Sequence, residues 1–195
     1  PAKEKRISII PETAKKFISL GFKINIEKNY ADHLNIQDEL YKSNGVNITT
    51  KKEVLEKSDI ILKVNSINED EINFIKNKSI LIGQFDPSLN KDLINKLNRK
   101  DINFFSLNLL PRITRAQSMD SLSSQANLAG YKAVVESFSS FERAIPMMMT
   151  AAGTIPPAKV LVIGAGVAGL QAIATAKRLG AIVSATDVRA ASKEQ

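Results

Sequence analysis

Apolar and polar positions in the first 110 residues follow two alternating patterns. Short apolar runs are typical of buried strands. Between them, apolar residues recur near helical spacing, as on one face of a helix. The predicted strands are 23–27, 59–64, 79–85 and 102–109, and the predicted helices are 12–20, 51–57, 69–75 and 90–98. Strands that alternate with helices favour a mostly parallel sheet covered on both faces, so the sequence predicts a doubly wound α/β domain of flavodoxin-like type.

The pattern changes after Pro111. Residues 116–138 contain no proline and predict one long helix, whereas the Pro-, Met- and Gly-rich residues 145–158 predict an interdomain connection. A second alternation of strand and helix begins at Lys159. The predicted organisation is an N-terminal domain over 1–115, an interdomain helix and connection over 116–158, and a second doubly wound domain that starts over 159–195.

Composition narrows the kinds of chemistry that are available. The chain has 195 residues, 44% apolar and 24% charged, which is typical of a globular protein. It has no cysteine and a single histidine, His33, which excludes disulfides, thiolate metal sites, a cysteine nucleophile and a multi-histidine metal site. The net charge is +7, but the lysines are scattered, which favours a solvated basic surface over a nucleic-acid footprint.

The second domain opens with a glycine pattern that carries chemistry. The apolar run VLVI at 160–163 is followed by Gly-Ala-Gly-Val-Ala-Gly, then by a helical sequence and by a second apolar strand. In this pattern Gly164 permits a tight turn, Gly166 lets a pyrophosphate approach the backbone, and Gly169 lets helix and strand pack closely. The sequence therefore predicts the opening βαβ unit of a Rossmann domain that binds a dinucleotide.

Two further residues bear on the choice of dinucleotide. Asp187 ends the second strand, about 20 residues after the glycines, where a carboxylate accepts hydrogen bonds from the adenosine ribose. Its charge would repel a 2′-phosphate, so NAD(H) is favoured over NADP(H). Arg189 leaves the other choice open, because an arginine at this position can pair with that phosphate.

The chain stops at Gln195, just after the second strand of this unit. A Rossmann half needs further βα units to cover its sheet. We therefore expect a fragment of a longer polypeptide, with the Rossmann domain truncated after its second strand.

A polar stripe follows Pro111. On a helix, short polar side chains spaced three or four residues apart share one face. The stripe consists of Gln117, Asp120, Ser123 or Ser124, Asn127 and Tyr131. Such groups suit directional hydrogen bonds to a ligand, and Gln117 could read a carboxamide with both its donor and its acceptor. Asp120 near Arg112 or Arg115 would be held ionised. A solvent-facing stripe accounts for the pattern equally well.

Three segments resemble one family closely: RITRAQSMDSLSSQANLAGY at 112–131, PMMMTAAGTIPPA at 146–158, and 164–195. They are similar to the NAD(H)-binding subunits of proton-translocating NAD(P) transhydrogenases, almost word for word over 111–195 and more loosely over 1–110. The resemblance implies two domains with the nucleotide in the cleft between them. It places near the nicotinamide the residues Arg112, Ile113, Thr114, Gln117, Asp120 and Ser123. It places on the adenosine side the residues Val167, Asp187, Val188 and Arg189.

The resemblance also implies a reaction and partners. Hydride would pass directly from NADH to NADP+, coupled to proton movement across a membrane. NADP(H) would be bound on a partner subunit, next to a membrane-embedded subunit. This subunit would form a homodimer on the cytoplasmic side of the bacterial inner membrane. Transfer between two nicotinamides needs no general acid or base, so Arg112, Gln117, Asp120 and Ser123 would act by orienting the ring.

Two other functions compete with this one. Alanine dehydrogenase shares the resemblance, and Arg6 and Lys63 match its substrate-binding arginine and lysine, although each is equally explained as a surface or strand-end charge. That reaction needs an acid/base group, and the family's histidine should fall near residues 84–87, where this chain has none. A NAD-sensing module would keep the glycines and Asp187 but would not need the polar set from Arg112 to Ser123.

Overall fold

The computed structural model of the chain describes residues 4–86, 91–190 and 192. It divides into two compact units, residues 1–113 and 114–195, and each is taken by itself below. The predicted split into 1–115, 116–158 and 159–195 stays a prediction.

The first unit alternates helices and strands, as the sequence predicts. Its elements are α1 (Pro11–Ser19), β1 (Asn25–Glu27), α2 (Asp38–Ser43), β2 (Asn47–Thr49), α3 (Lys51–Lys57), β3 (Ile60–Lys63), α4 (Glu69–Phe74), β4 (Ile80–Gly83), α5 (Lys91–Arg99) and β5 (Asn103–Ser106). Strands β1 and β2 pair in parallel, and β3, β4 and β5 form a parallel sheet in that order. The parallel α/β class predicted for this half is confirmed. Of the predicted helix 90–98, Asn90 lies outside the described residues.

Apolar side chains pack in two clusters that follow these two sheets. The larger cluster lies around β3–β5 and contains Leu55, Ile61, Ile67, Ile72, Ile75, Leu81, Phe85, Leu93, Leu97 and Ile102. The smaller one contains Ile9, Ala14, Ile26, Ala31, Tyr41 and Val46. The Tyr41 hydroxyl donates to the Ile9 carbonyl at 2.9 Å, and the Tyr30 hydroxyl accepts from the Ser8 amide at 2.8 Å. These two tyrosines tie the segment before α1 to α2 and to the loop after β1.

Buried Glu71 joins three elements of this unit. Its carboxylate contacts the ammonium groups of Lys51 and Lys63, each at 2.6 Å, and accepts from the Asn68 amide at 2.9 Å. Asn68 in turn accepts from the Glu71 amide, which closes a capping box at the start of α4. Burial by itself would raise the pKa of Glu71, but the hydrogen bonds from both lysines and from Asn68 outweigh it and lower that pKa.

The second unit begins with a 3₁₀ helix, Thr114–Met119, and contains α6 (Ser121–Ser139), β6 (Met148–Thr150), β7 (Gly153–Ile155), β8 (Lys159–Ile163), α7 (Val167–Arg178) and β9 (Ile182–Thr186). Strands β8 and β9 pair in parallel, with Lys159 opposite Ile182 and Ile163 opposite Thr186. With α7 between them they form the predicted βαβ unit.

The structure differs from the sequence expectations in four places. The strand predicted over 102–109 ends at Ser106, and a 3₁₀ helix covers Leu107–Leu109. The long helix predicted over 116–138 starts at Ser121, because the Asp120 side chain caps it by accepting from the Ser123 amide. The predicted interdomain connection over 145–158 contains the antiparallel hairpin β6–β7, which was not predicted. Helix α2 and strand β2 were not predicted, because their sequences are short and mostly polar. Within the ranges described, no helix has the length and apolar character to cross a membrane.

Candidate dinucleotide site

The glycine turn lies where β8 ends and α7 begins. Gly164 has φ +97°, a conformation that disfavours any residue with a Cβ, and its amide donates to the Thr186 carbonyl at 2.7 Å. This bond ties the turn to β9. Gly166 is the N-cap residue of α7 and has an ordinary extended backbone. The amide of Gly164 therefore links the start of the turn to the end of β9.

Gly169 and Gly166 meet very different surroundings. A Cβ built on Gly169 would lie 1.7 Å from the Gly164 carbonyl oxygen, so helix and turn approach too closely for any side chain. A Cβ on Gly166 would meet only the Arg189 Nη2 atom, at 3.9 Å. The geometry thus agrees with a packing role for Gly169 and leaves the backbone face of Gly166 free for a ligand to approach.

The N-terminus of α7 supplies electrostatics of the right sign for a phosphate. The amides of its first residues precede the first hydrogen bond of the helix, in which the Leu170 amide donates to the Gly166 carbonyl at 2.8 Å. Aligned peptide dipoles add partial positive charge at this end. Val167, the first residue of the helix, is exposed beside the turn. A pyrophosphate over Gly166 would receive hydrogen bonds from the first amides of α7.

Asp187 follows β9 and faces the turn. Its Oδ2 atom accepts from the Ala165 amide at 2.6 Å, and its Oδ1 atom accepts from the Arg189 amide at 2.8 Å. The Arg189 guanidinium adds two bonds, from Nε to Oδ1 and from Nη2 to Oδ2, both at 3.0 Å. These bonds, led by those of the guanidinium, hold the pKa of Asp187 well below its usual range. The carboxylate is ionised and oriented beside the glycine turn. Val188 between them is fully exposed.

Helix α6 packs directly on the first turn of α7. A Cβ on Gly130 would lie 2.1 Å from the Ala168 carbonyl oxygen, so the two backbones are in contact there. Three residues earlier, Asn127 donates to the Gln171 side chain at 3.1 Å, and Gln171 donates to Thr175 at 3.0 Å. Sequence reasoning missed this contact, although a lone glycine inside a helical pattern is a signal of close packing.

The polar residues of the stripe make different contacts. Asp120 accepts from both the amide and the hydroxyl of Ser123, at 2.9 and 2.6 Å, and so starts α6. Asn127 contacts α7 and does not point away from it. Gln117, in the 3₁₀ helix, is exposed, and Tyr131 is half exposed. The structure therefore brings together the glycine turn with Asp187 and Arg189, and separately Asp120 with Ser123.

The remaining predicted residues lie where the two units meet in sequence. Arg112 and Ile113 end the first unit, and Thr114 opens the second. All three side chains are exposed. Their place beside a nicotinamide stays a prediction.

The two cations that match alanine dehydrogenase have other partners. The Lys63 ammonium is bound to buried Glu71. The Arg6 guanidinium is held by both oxygens of Glu4, at 2.9 and 2.8 Å, and is 3.5 Å from the Gln84 side-chain oxygen. Pro87, at the end of the segment expected to carry the histidine, lies outside the described residues. Both cations thus have partners within the first unit. In the described ranges, no group of three or more His, Asp or Glu residues could hold a metal ion.

Comparison with known proteins gives matches along the whole chain. Residues 1–129 match the family described as alanine dehydrogenase/PNT, N-terminal domain, and residues 133–195 match its C-terminal domain. An NAD(P) transhydrogenase alpha subunit of Rhodospirillum rubrum is 48% identical over 98% of this chain and 52% of its own length. An alanine dehydrogenase of Methanococcus maripaludis is 28% identical over 95% of this chain and 50% of its own length.

Solved structures agree with these matches. The transhydrogenase from Sinorhizobium meliloti superposes with a TM-score of 0.91 at 48% identity, over all of this chain and 56% of that one. An L-alanine dehydrogenase superposes with a TM-score of 0.80 at 19% identity, over all of this chain and 55% of that one, which shows the shared fold. The chain thus spans about half the length of these relatives. The predicted resemblance and fold class are confirmed, and the chain belongs to the alanine dehydrogenase/PNT family.

Proposed function

We propose that this chain is part of the NAD(H)-binding subunit of a proton-translocating NAD(P) transhydrogenase and binds NAD(H) at the turn from Gly164 to Gly169. The observation that carries the proposal is the pairing of an open backbone face at Gly166 with the oriented, ionised carboxylate of Asp187. A pyrophosphate fits the first feature and an adenosine ribose fits the second. The residues present therefore suit the cofactor.

In this proposal the cofactors and the protein chain have different roles. The two nicotinamides supply the hydride chemistry when they are bound. The chain's task is to bind, to orient and to exclude water, for which the polar groups Arg112, Gln117, Asp120 and Ser123 suffice without a histidine. NADP(H) on a partner subunit, a membrane-embedded subunit, a homodimer and a place on the cytoplasmic side of the inner membrane belong to the same proposal. The identity to transhydrogenase subunits supports it.

The direct test is nucleotide binding by the full-length subunit that contains this chain, followed through NADH fluorescence. We expect saturable binding of NADH and much weaker binding of NADPH, because a 2′-phosphate would be repelled by Asp187. Equal affinity for both nucleotides would contradict the assignment of NAD(H). Alanine-dependent reduction of NAD+ by the same protein would instead make it an alanine dehydrogenase.

A further inference from the structure

The carboxylate of Asp187 has all of its acceptor positions filled from within the chain. Two carboxylate oxygens offer about four lone-pair sites. Backbone amides of Ala165 and Arg189 take two of them, at 2.6 and 2.8 Å, and the Nε and Nη2 atoms of Arg189 take the other two, at 3.0 Å each. No site is left for a further donor while the Arg189 side chain stays in this position.

The two kinds of donor are not equally replaceable. The backbone amides are part of the glycine turn and of the chain after β9, so they fix the carboxylate in place. The Arg189 side chain is 61% exposed, whereas that of Asp187 is 9% exposed. A long, exposed side chain held by one ion pair can move aside at low cost, because water solvates the released guanidinium.

The adenosine ribose presents the same arrangement of donors as the guanidinium fork. Its 2′- and 3′-hydroxyls are two O–H groups on adjacent carbons, suited to the two oxygens of one carboxylate. The Nε and Nη2 atoms of Arg189 form a planar two-donor fork on those oxygens. Ribose and guanidinium therefore compete for the same pair of acceptor sites.

We propose that Arg189 is a specificity-determining residue that competes with the adenosine ribose for Asp187. This inference rests on the proposed function. The Arg189 side chain has to leave the carboxylate before a ribose diol can bind. The competition weakens binding of nucleosides that carry this diol and leaves nucleosides without it unaffected. Because Arg189 Nη2 also lies within 3.9 Å of the Cβ position on Gly166, the same side chain stands over the approach to the turn.

The test compares Arg189→Met with wild type in the full-length subunit, using adenosine and 2′,3′-dideoxyadenosine as probes in calorimetry. The variant removes the fork but keeps an unbranched side chain. We expect it to bind adenosine about two- to fivefold more tightly, the range that the loss of one exposed ion pair allows. Dideoxyadenosine should bind both proteins equally. Arg178→Met is the matched control, because Arg178 is an exposed arginine at the end of α7, and its affinity for both probes should equal that of wild type.

The alternative outcomes are distinct. Weaker or unchanged binding of adenosine by Arg189→Met would overturn the proposal, because Arg189 would then be a ligand of the nucleotide or a bystander. Arg189→Lys keeps the charge and replaces the fork with a point charge, so it should tighten adenosine binding to a smaller extent. This second variant decides the matter if Arg189→Met does not fold. Failure of the wild-type subunit to bind NADH at all would overturn the proposed function itself.

Discussion

Gly130 of α6 lies so close to Ala168 of α7 that a Cβ atom on the glycine would be 2.1 Å from the alanine carbonyl oxygen. The contact sets how α6 stands on the first turn of α7, next to the glycine turn. We expect Gly130→Ala to separate the two helices and to cost about 1–3 kcal/mol of unfolding free energy, as overpacked sites do. NADH affinity of the full-length subunit should fall as well, because the start of α7 moves.

The control for this prediction is Ala129→Ser, which adds one atom at the adjacent exposed position of the same helix. It should leave both the urea midpoint and the NADH affinity close to wild type. If Gly130→Ala unfolds at the wild-type urea concentration, the backbone contact is not a constraint and the prediction is wrong.

The glycines of the turn offer a second pair of opposed substitutions. Gly169→Ala places a Cβ 1.7 Å from the Gly164 carbonyl oxygen, a backbone atom that cannot yield cheaply. We expect it to disrupt the βαβ unit and to lower the thermal midpoint strongly. Gly166→Ala meets only a flexible arginine tip at 3.9 Å, so the protein should fold normally. Its methyl group would stand where a pyrophosphate approaches, so NADH affinity should fall.

We expect Gly169→Ala to impair folding and Gly166→Ala to impair NADH binding without impairing folding. Circular dichroism melts report folding, and NADH fluorescence titration reports binding. A Gly166→Ala protein that binds NADH as tightly as wild type would place the pyrophosphate elsewhere.

The glycines also show which parts of the structure could be predicted from the sequence. The strand, turn and helix around Gly164 and Gly169 were predictable because their constraints are local: a positive φ and a close approach five residues apart. Parallel pairing of strands was predictable from the alternation of elements. Gly130 was not, because its neighbour Ala168 is 38 positions away in sequence and no local pattern connects them.

The polar stripe shows a different limit. Its three-to-four spacing runs without a break through Gln117 and Asp120, so periodicity extends the helix over both. The structure ends that continuity at Asp120, whose side chain bonds to Ser123 and starts α6 there. The same bonds occupy a carboxylate to which the family resemblance assigns a role in hydride transfer. Residue spacing cannot separate a cap from a ligand, because both use short polar side chains.

Acid sensitivity of the first unit should depend on Glu71. Glu71 is 5% exposed. Burial would raise the pKa of its carboxyl group, but hydrogen bonds from Lys51, Lys63 and the Asn68 amide lower that pKa below the ordinary value of 4.5. A carboxyl group with a lowered pKa in the folded state stabilises the fold above its ordinary pKa, and this stability is lost as the pH falls through the folded value. We therefore expect the unfolding free energy to decline as pH drops below about 4.5.

The variant Glu71→Gln should remove this contribution to the pH dependence and cost about 1–3 kcal/mol at neutral pH, since both lysines retain some access to water. Urea titrations at several pH values measure both effects. Glu69→Gln is the control, because Glu69 lies on the same helix as Glu71, is 65% exposed, and contacts Lys96 of α5 at 2.6 Å. An exposed pair of this kind should contribute little. Equal losses from the two variants would contradict a special role for Glu71.

The proposed role of the polar set in hydride transfer is tested by Asp120→Asn. Asparagine caps helices about as well as aspartate, so α6 should keep its start at Ser121 while the charge is lost. Arg112→Ala removes an exposed guanidinium and should not affect the core. In a reconstituted complex with all its subunits, both variants should slow hydride transfer from NADH to NADP+ far more than they weaken NADH binding, because orientation of the ring acts on the transition state. Arg178→Ala, at the far end of α7, should leave turnover unchanged. Unchanged turnover in Asp120→Asn and Arg112→Ala would contradict the proposed role. Asp120 would then act only as a helix cap, and Arg112 would be an ordinary solvent-exposed residue.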